Sequence, residues 1–286
     1  LMRSGNYAWI PPLPVVPGNE LAGTVAAVGS GVDASEVGQR VYVNARDLSQ
    51  RGGCYAEYML VPASSVFALP DSLSAEHAVA LGNYQLAWLL LNIAATPKAG
   101  EDVLVHAAAG GVGSALVQMA CAKDLRVCGV AGSADKAGYV AGLGAETVIE
   151  RSRDSISERV MQSTDGAGVR TIYDAVGGED FANNFKMLAP LGTLVMFGYI
   201  AGWPDPAILN SMRERFGASL GFRLFSIHVL DVMPELRRKA MEEAIKVMAA
   251  GLALPRIHTQ MPLEEAAEAH RLLESGAVIG KIVLVP

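Results

Sequence analysis

The chain has 286 residues, 51% of them hydrophobic and 18% charged, a balance that supports more than one packed core and excludes global disorder. Its formal net charge is -6, with Lys and Arg scattered in ones and twos, so no basic stripe is available to neutralise a phosphate backbone and nucleic-acid binding is not expected as the main function. Mean hydropathy is +0.29, yet no 18-residue apolar run escapes charge or glycine and no charged-then-apolar leader opens the sequence, which speaks against a membrane span.

The first eighty residues read as short β-rich runs, "GTVAAVGSGV", "GQRVYV" and "GCYAEYMLVP", separated by Gly, Pro and Ser turns. They predict a compact, barrel-like β domain over residues 1–83. Cys54 lies in it, and with Cys121 and Cys128 makes an odd set without a C-x-x-C pair. That pattern suggests neither a disulfide framework nor a cysteine zinc site, and fits three small hydrophobes in a reducing cytoplasm.

Over residues 84–226 apolar runs alternate with helical patterns: "DVLVH", "LRVCGVA", "ETVIE", "RTIYDAV", "GTLVMFG" and "SLGFRLFS". Alternation of this length predicts a doubly wound parallel sheet of six strands with right-handed crossovers. After the first strand comes "HAAAGGVG", and Ala108, Gly110 and Gly113 fall on the three positions of G-x-G-x-x-G. The helix "SALVQMACAK" follows at once, with Leu116, Met119, Ala120 and Lys123 along one side. A strand, a glycine turn and a helix in immediate succession aim backbone N–H groups and the helix dipole at a pyrophosphate. Ala109, Gly110, Gly111, Val112 and Gly113 are therefore candidate dinucleotide-binding residues, and the alternative is a turn kept small for packing.

The second strand ends in "GVAGSADK", where an NAD site would place a carboxylate for the ribose hydroxyls. Gly132 and Ser133 stand there instead, with Lys136 one turn on and Arg151 after the third strand, so a 2′-phosphate and hence NADPH is expected. One charge-assisted bond from either cation is worth about 1.5–3 kcal/mol, roughly ten- to a hundredfold in preference. Residues 227–286 hold the helix "PELRRKAMEEAIKVMAAG", with Leu236, Ala240, Met241, Ala244, Ile245 and Met248 on one face. A second helix leads into "GKIVLVP", a last strand able to return to the β domain.

"HAAAGGVG", "PGNELAGTVAAVGSGV", "GQRVYV", "GGCYAEYMLVP" and the closing "GKIVLVP", in this order, resemble the zinc-independent branch of the medium-chain dehydrogenase/reductase superfamily, specifically quinone oxidoreductases of the zeta-crystallin type. The resemblance implies an α/β Rossmann domain inserted in a GroES-like β-barrel domain, and a homodimer. It also implies that Leu1 aligns several dozen residues into the usual chain, so that the opening strands of the β domain are missing here. Zinc-dependent relatives carry "GHE" where this chain has Gly18, Asn19 and Glu20, and no metal is expected. Glu20 reads as a structural acceptor rather than a general acid. His77, His106, His228, His258 and His270 are given no chemistry.

By the same resemblance Gln85, Val176, Gly177, Phe197, Gly198 and Tyr199 line the nicotinamide side, and Arg223 and Lys281 lie near the cofactor. Tyr7 is the catalytic candidate, facing the acceptor as an orienting hydroxyl or proton donor, with an aromatic pocket wall as the bland alternative. Without a Lewis acid, the accessible chemistry is hydride delivery to an acceptor already electrophilic, a quinone or conjugated enone. An enoyl reductase, and a noncatalytic nucleotide-binding protein, remain open alternatives.

Overall fold

The computed structural model describes residues 12–286. Its smaller β sheet is antiparallel, in the order β1 (Glu20–Thr24), β2 (Arg40–Asn44), β3 (Val66–Ala68), with Leu21 opposite Val43 and Tyr42 opposite Phe67. Tyr42 and Phe67 are both buried, and their rings meet at 6.5 Å. Helices α1 (Ala75–Ala78), capped by the Ser74 hydroxyl, and α2 (Leu81–Leu89) follow, and α2 continues into a wider turn at Leu90–Ala94.

Then comes the expected alternation: β4 (Asp102–Val105), α3 (Gly111–Cys121), β5 (Arg126–Ala131), α4 (Ala134–Gly142), β6 (Thr147–Glu150), α5 (Ile156–Ser163), β7 (Val169–Asp174), α6 (Asn184–Met187), β8 (Leu188–Met196), α7 (Ile208–Glu214) and β9 (Gly221–Leu224). The six strands pair in parallel in the order β6-β5-β4-β7-β8-β9. The order reverses between β4 and β7, which opens a crevice beyond their carboxyl ends. One face of the sheet is sealed by Phe181, Phe185 and Phe222, packed edge to face with centroids 5.8–6.4 Å apart. After β9, α8 (Pro234–Ala249) buries Ala240, Met241, Ala244 and Met248, with Leu236 and Ile245 half-buried. The chain ends with β10 (Ile257–Pro262), α9 (Ala266–Glu274) and β11 (Lys281–Val285), the two strands pairing in parallel.

The described chain divides into two units, one built from the residues up to Gly82 together with Ile257–Pro286, the other from Asn83–Arg256. The return to the first unit thus falls at 257, not at the expected 227. The reason is local: the Gln85 side chain donates to the Arg237 carbonyl at 2.9 Å, and the Leu254 N–H donates to Gln118 at 2.8 Å, so α8 and its tail are fastened to α2 and α3. Residues 53–62, expected as a strand, form none. The N–H groups of Gly53 and Tyr55 bond the carbonyls of Val16 and Pro17, Gly53 takes a φ of 98°, and Tyr58 and Leu60 are exposed. "GTVAAVGSGV" likewise stays in strand only to Thr24.

Candidate functional site

The turn after β4 is built around three close approaches. Ala107 sits in the left-handed region at φ 51°, and its carbonyl accepts the Gly110 N–H at 3.0 Å. Gly110 then caps α3 in extended geometry, its carbonyl accepting the Ser114 N–H at 2.8 Å. A Cβ on Gly113 would collide with the Ala107 carbonyl and come within 2.9 Å of the Ala108 Cα, both backbone. On Gly111 it would meet the Asn83 side-chain nitrogen at 2.6 Å, whereas on Gly110 its nearest neighbour is the Ala107 oxygen at 3.3 Å. Gly113 is therefore a packing glycine, whereas Gly110 is hemmed in by a single atom, the Ala107 oxygen. Ala109 is buried behind the turn. The N–H groups of Gly111, Val112 and Gly113 belong to the first turn of α3, where no intrahelical acceptor exists, and they face where an anion would sit.

The candidates that follow β5, β6, β7 and β8 lie beyond the carboxyl ends of those strands. Gly132 and Ser133 follow β5, both exposed, and Ser133 caps α4 without a side-chain bond. Lys136 is half-buried in the first turn of α4. Arg151 is exposed just past β6, and its N–H donates to the Ala131 carbonyl at 3.0 Å, tying the ends of β6 and β5 together. No carboxylate occupies the last position of β5 or the two residues after it. After β7, the Val176 and Gly177 N–H groups donate to Asp174 Oδ1 at 2.6 and 3.0 Å, and the Val176 carbonyl accepts the Ala201 N–H at 2.8 Å. After β8, the Phe197 N–H donates to the Asp174 carbonyl at 2.8 Å, Gly198 lies against the Ala175 backbone, and Tyr199 stacks on Trp203 at 4.9 Å.

Three residues named by resemblance are held by other bonds. Gln85 is buried, with its amide on the Arg237 carbonyl. Arg223 directs its guanidinium to the carbonyls of Ile93 and Ala94 at 2.9 and 2.8 Å, closing the end of the helical stretch that begins with α2. Lys281, in the smaller unit, is ion-paired with Glu20. The Glu20 carboxylate also accepts from the Tyr42 hydroxyl at 2.9 Å and the Gly82 N–H at 2.8 Å, so it acts as a structural acceptor. Tyr7 lies outside the described residues. Burial, assisted by the Glu20 charge, pushes the Cys54 thiol up to about 12. Among the described residues no three His, Cys, Asp or Glu side chains converge as a metal-binding group.

Sequence reasoning passed over one cluster in the larger unit: His106 at the end of β4, Asp174 at the end of β7 and Asn184 at the start of α6, all buried. The only trace of it in the sequence is the placing of His106 and Asp174 at two strand ends. "FANNFKM" gives Asn184 no distinguishing spacing.

The family model described as alcohol dehydrogenase GroES-like domain matches residues 1–71, and that described as zinc-binding dehydrogenase matches residues 143–284. Quinone oxidoreductase of Rattus norvegicus is 31% identical over 290 residues, covering 99% of this chain and 84% of its own. The synaptic vesicle membrane protein VAT-1 homolog of the same organism is 32% identical over 300 residues, covering 99% of this chain and 72% of its own. Among solved structures, Escherichia coli quinone oxidoreductase complexed with NADPH superimposes with a TM-score of 0.88 at 32% identity, covering 100% of this chain and 86% of that one.

Proposed function

Because the chain belongs to the quinone oxidoreductase family of medium-chain dehydrogenases/reductases, we propose that it is an NADPH-dependent reductase passing hydride to a quinone or another conjugated acceptor. The observation that carries this reading is the turn at Ala107–Gly113, where a backbone cradle that a Cβ would fill opens onto the first turn of α3 at the switch point of the sheet. NADPH, when bound, supplies the hydride from its nicotinamide ring.

The N–H groups of Gly111, Val112 and Gly113 hold the pyrophosphate, with Ala109 and Gly110 shaping the approach. Gly132 and Ser133 leave room for the adenosine ribose, and Lys136 and Arg151 supply charge for its 2′-phosphate. Lys136→Glu is expected to raise KM for NADPH about tenfold or more with little change for NADH, and equal effects in steady-state assays with both nucleotides would refute the assignment. Val176, Gly177, Phe197, Gly198 and Tyr199 orient the nicotinamide by presenting backbone at a fixed height above β7 and β8. Gln85 and Arg223 support this frame through α8 and α2. Tyr7 and Lys281 are proposed at the acceptor and cofactor by resemblance, without a metal. The protein's contribution is orientation and exclusion of water rather than polarisation by a metal ion.

We assign the acceptor to the quinone class on the relatives' chemistry, and the chain to a cytoplasmic homodimer. Among the described residues no helix is long and apolar enough to cross a membrane. The deciding experiment follows NADPH oxidation with a naphthoquinone and, separately, with a short enoyl thioester. Faster turnover of the quinone supports the proposal. Faster turnover of the thioester moves the protein to the enoyl reductases, and NADPH binding without turnover of either makes it a noncatalytic nucleotide-binding protein.

A further inference from the structure

We propose that His106, Asn184 and Asp174 are positioning residues that lock the glycine turn after β4 and the Val176–Gly177 turn after β7 to one another. This rests on reading those two turns as the pyrophosphate and nicotinamide supports. His106 immediately precedes the left-handed Ala107 that starts the glycine turn, and Asp174 immediately precedes the second turn. Asn184, from α6, stands between them. Its Nδ2 donates to Asp174 Oδ2 at 2.7 Å, and its Oδ1 lies 2.8 Å from His106 Nε2. Asp174 Oδ1 accepts the N–H groups of Val176 and Gly177.

The direction of every bond follows from chemistry. An ionised carboxylate only accepts, so the Asn184 amide nitrogen must face Asp174 and its oxygen must face His106. His106 Nε2 must then carry its proton. The result is a one-way chain of donors from the base of the glycine turn, through Asn184, to the carboxylate that gathers the N–H groups of the other turn. Exposure of 2% for Asp174 and for Asn184 and 9% for His106 keeps water from substituting for any link. Among the described residues, the one basic group within 4 Å of the Asp174 carboxylate is His106 Nε2, at 3.9 Å. The charge is thus held by oriented dipoles, and loss of one donor reaches the others through the carboxylate. Backbone bonds also join these strand ends, His106 N–H to the Tyr173 carbonyl at 3.0 Å, and anchor each turn to its own neighbours, Ala108 N–H to the Val130 carbonyl at 2.9 Å and Ala201 N–H to the Val176 carbonyl at 2.8 Å, but these bonds do not run from one turn to the other, as the side-chain chain does.

A network that merely satisfies buried polar groups and one that couples the turns differ in what happens far from the mutated end. His106→Phe keeps a ring and removes the donor, and His106→Leu is a second removal should the first not fold. His106→Gln keeps an N–H donor at similar reach. Thr164→Val is the control, since Thr164 is a buried hydroxyl elsewhere in the same unit, bonded to the Val160 carbonyl and the Gly168 N–H. Hydrogen exchange is followed on the full chain without nucleotide. Loss of the donor is expected to speed exchange at the Val176 and Gly177 amides, which His106 does not touch, at least tenfold. His106→Gln restores the wild-type rate, and Thr164→Val leaves those amides unchanged. In parallel, the Kd for NADPH, read from nicotinamide fluorescence, rises about tenfold in His106→Phe, while KM for the acceptor stays within twofold. Unchanged exchange at Val176 and Gly177 in a folded donor-less variant overturns the proposal. A wild-type chain that binds no NADPH instead refutes the reading of the turns as a cofactor site, and the exchange arm still decides whether they are coupled.

Discussion

Glycines 110 and 113 stand three residues apart and do different jobs. Gly113 has no room for a Cβ because backbone surrounds it, so Gly113→Ala is expected to cost about 1–3 kcal/mol, seen as a lower denaturation midpoint. Gly110 has an ordinary φ of -78° and its Cβ would press on one atom only, the Ala107 oxygen at 3.3 Å, so Gly110→Ala is expected to lower the midpoint less than Gly113→Ala does while weakening NADPH at least tenfold by titration. The motif was legible in the sequence, but the division of labour was not, because it depends on where the Ala107 carbonyl points. Cys54 gives a pH signature. Its thiol is raised from an ordinary 9 to about 12 by burial first and the Glu20 charge second, so the folded state favours the protonated form. The unfolded chain loses that proton first. The resulting stabilisation is complete below pH 9 and is lost as pH rises toward 12. The stability difference between wild type and Cys54→Ala is expected to shift steadily against wild type across that window in denaturant titrations, and a constant difference would show that Cys54 does not titrate differently on folding.

At the level of elements, strands β4 to β9 were readable because each is an apolar run bounded by a helical period, and buried parallel strands tolerate no other pattern. Residues 53–62 have the same composition but bond residues 16–18 at one end only, and strand formation needs a neighbour that composition does not reveal. The return point was misplaced for a similar reason, since the bonds from Gln85 to Arg237 and from Gln118 to Leu254 join residues more than a hundred positions apart. Arg223 shows how an element claims a residue expected at the site. Its guanidinium satisfies two helix-end carbonyls, so Arg223→Ala is expected to lower stability by about 1 kcal/mol, a modest value because the side chain is exposed, and to leave KM for NADPH within twofold. A tenfold rise in KM with an unchanged melting temperature would return Arg223 to the cofactor.

At the scale of the whole molecule, β9 is, among the described residues, an edge strand paired with β8 alone, and Leu224 on it is exposed. An unpaired edge with an apolar side chain invites a second copy. Sizing chromatography is expected to show twice the 30.0 kDa of one chain, and Leu224→Asp to shift it toward one. A monomeric wild type at micromolar concentration would refute the dimer. The larger unit is a single uninterrupted stretch, whereas the smaller one is assembled from segments on either side of it, with Glu20 and Lys281 joined across 261 positions. During translation the larger unit is complete once Arg256 has cleared the ribosome, and β1, β2 and β3 can pair as they emerge, but the Glu20 carboxylate still waits for Lys281, five residues from the last one made. The smaller unit therefore gains its last ion pair only when synthesis is nearly finished, however early its sheet has formed.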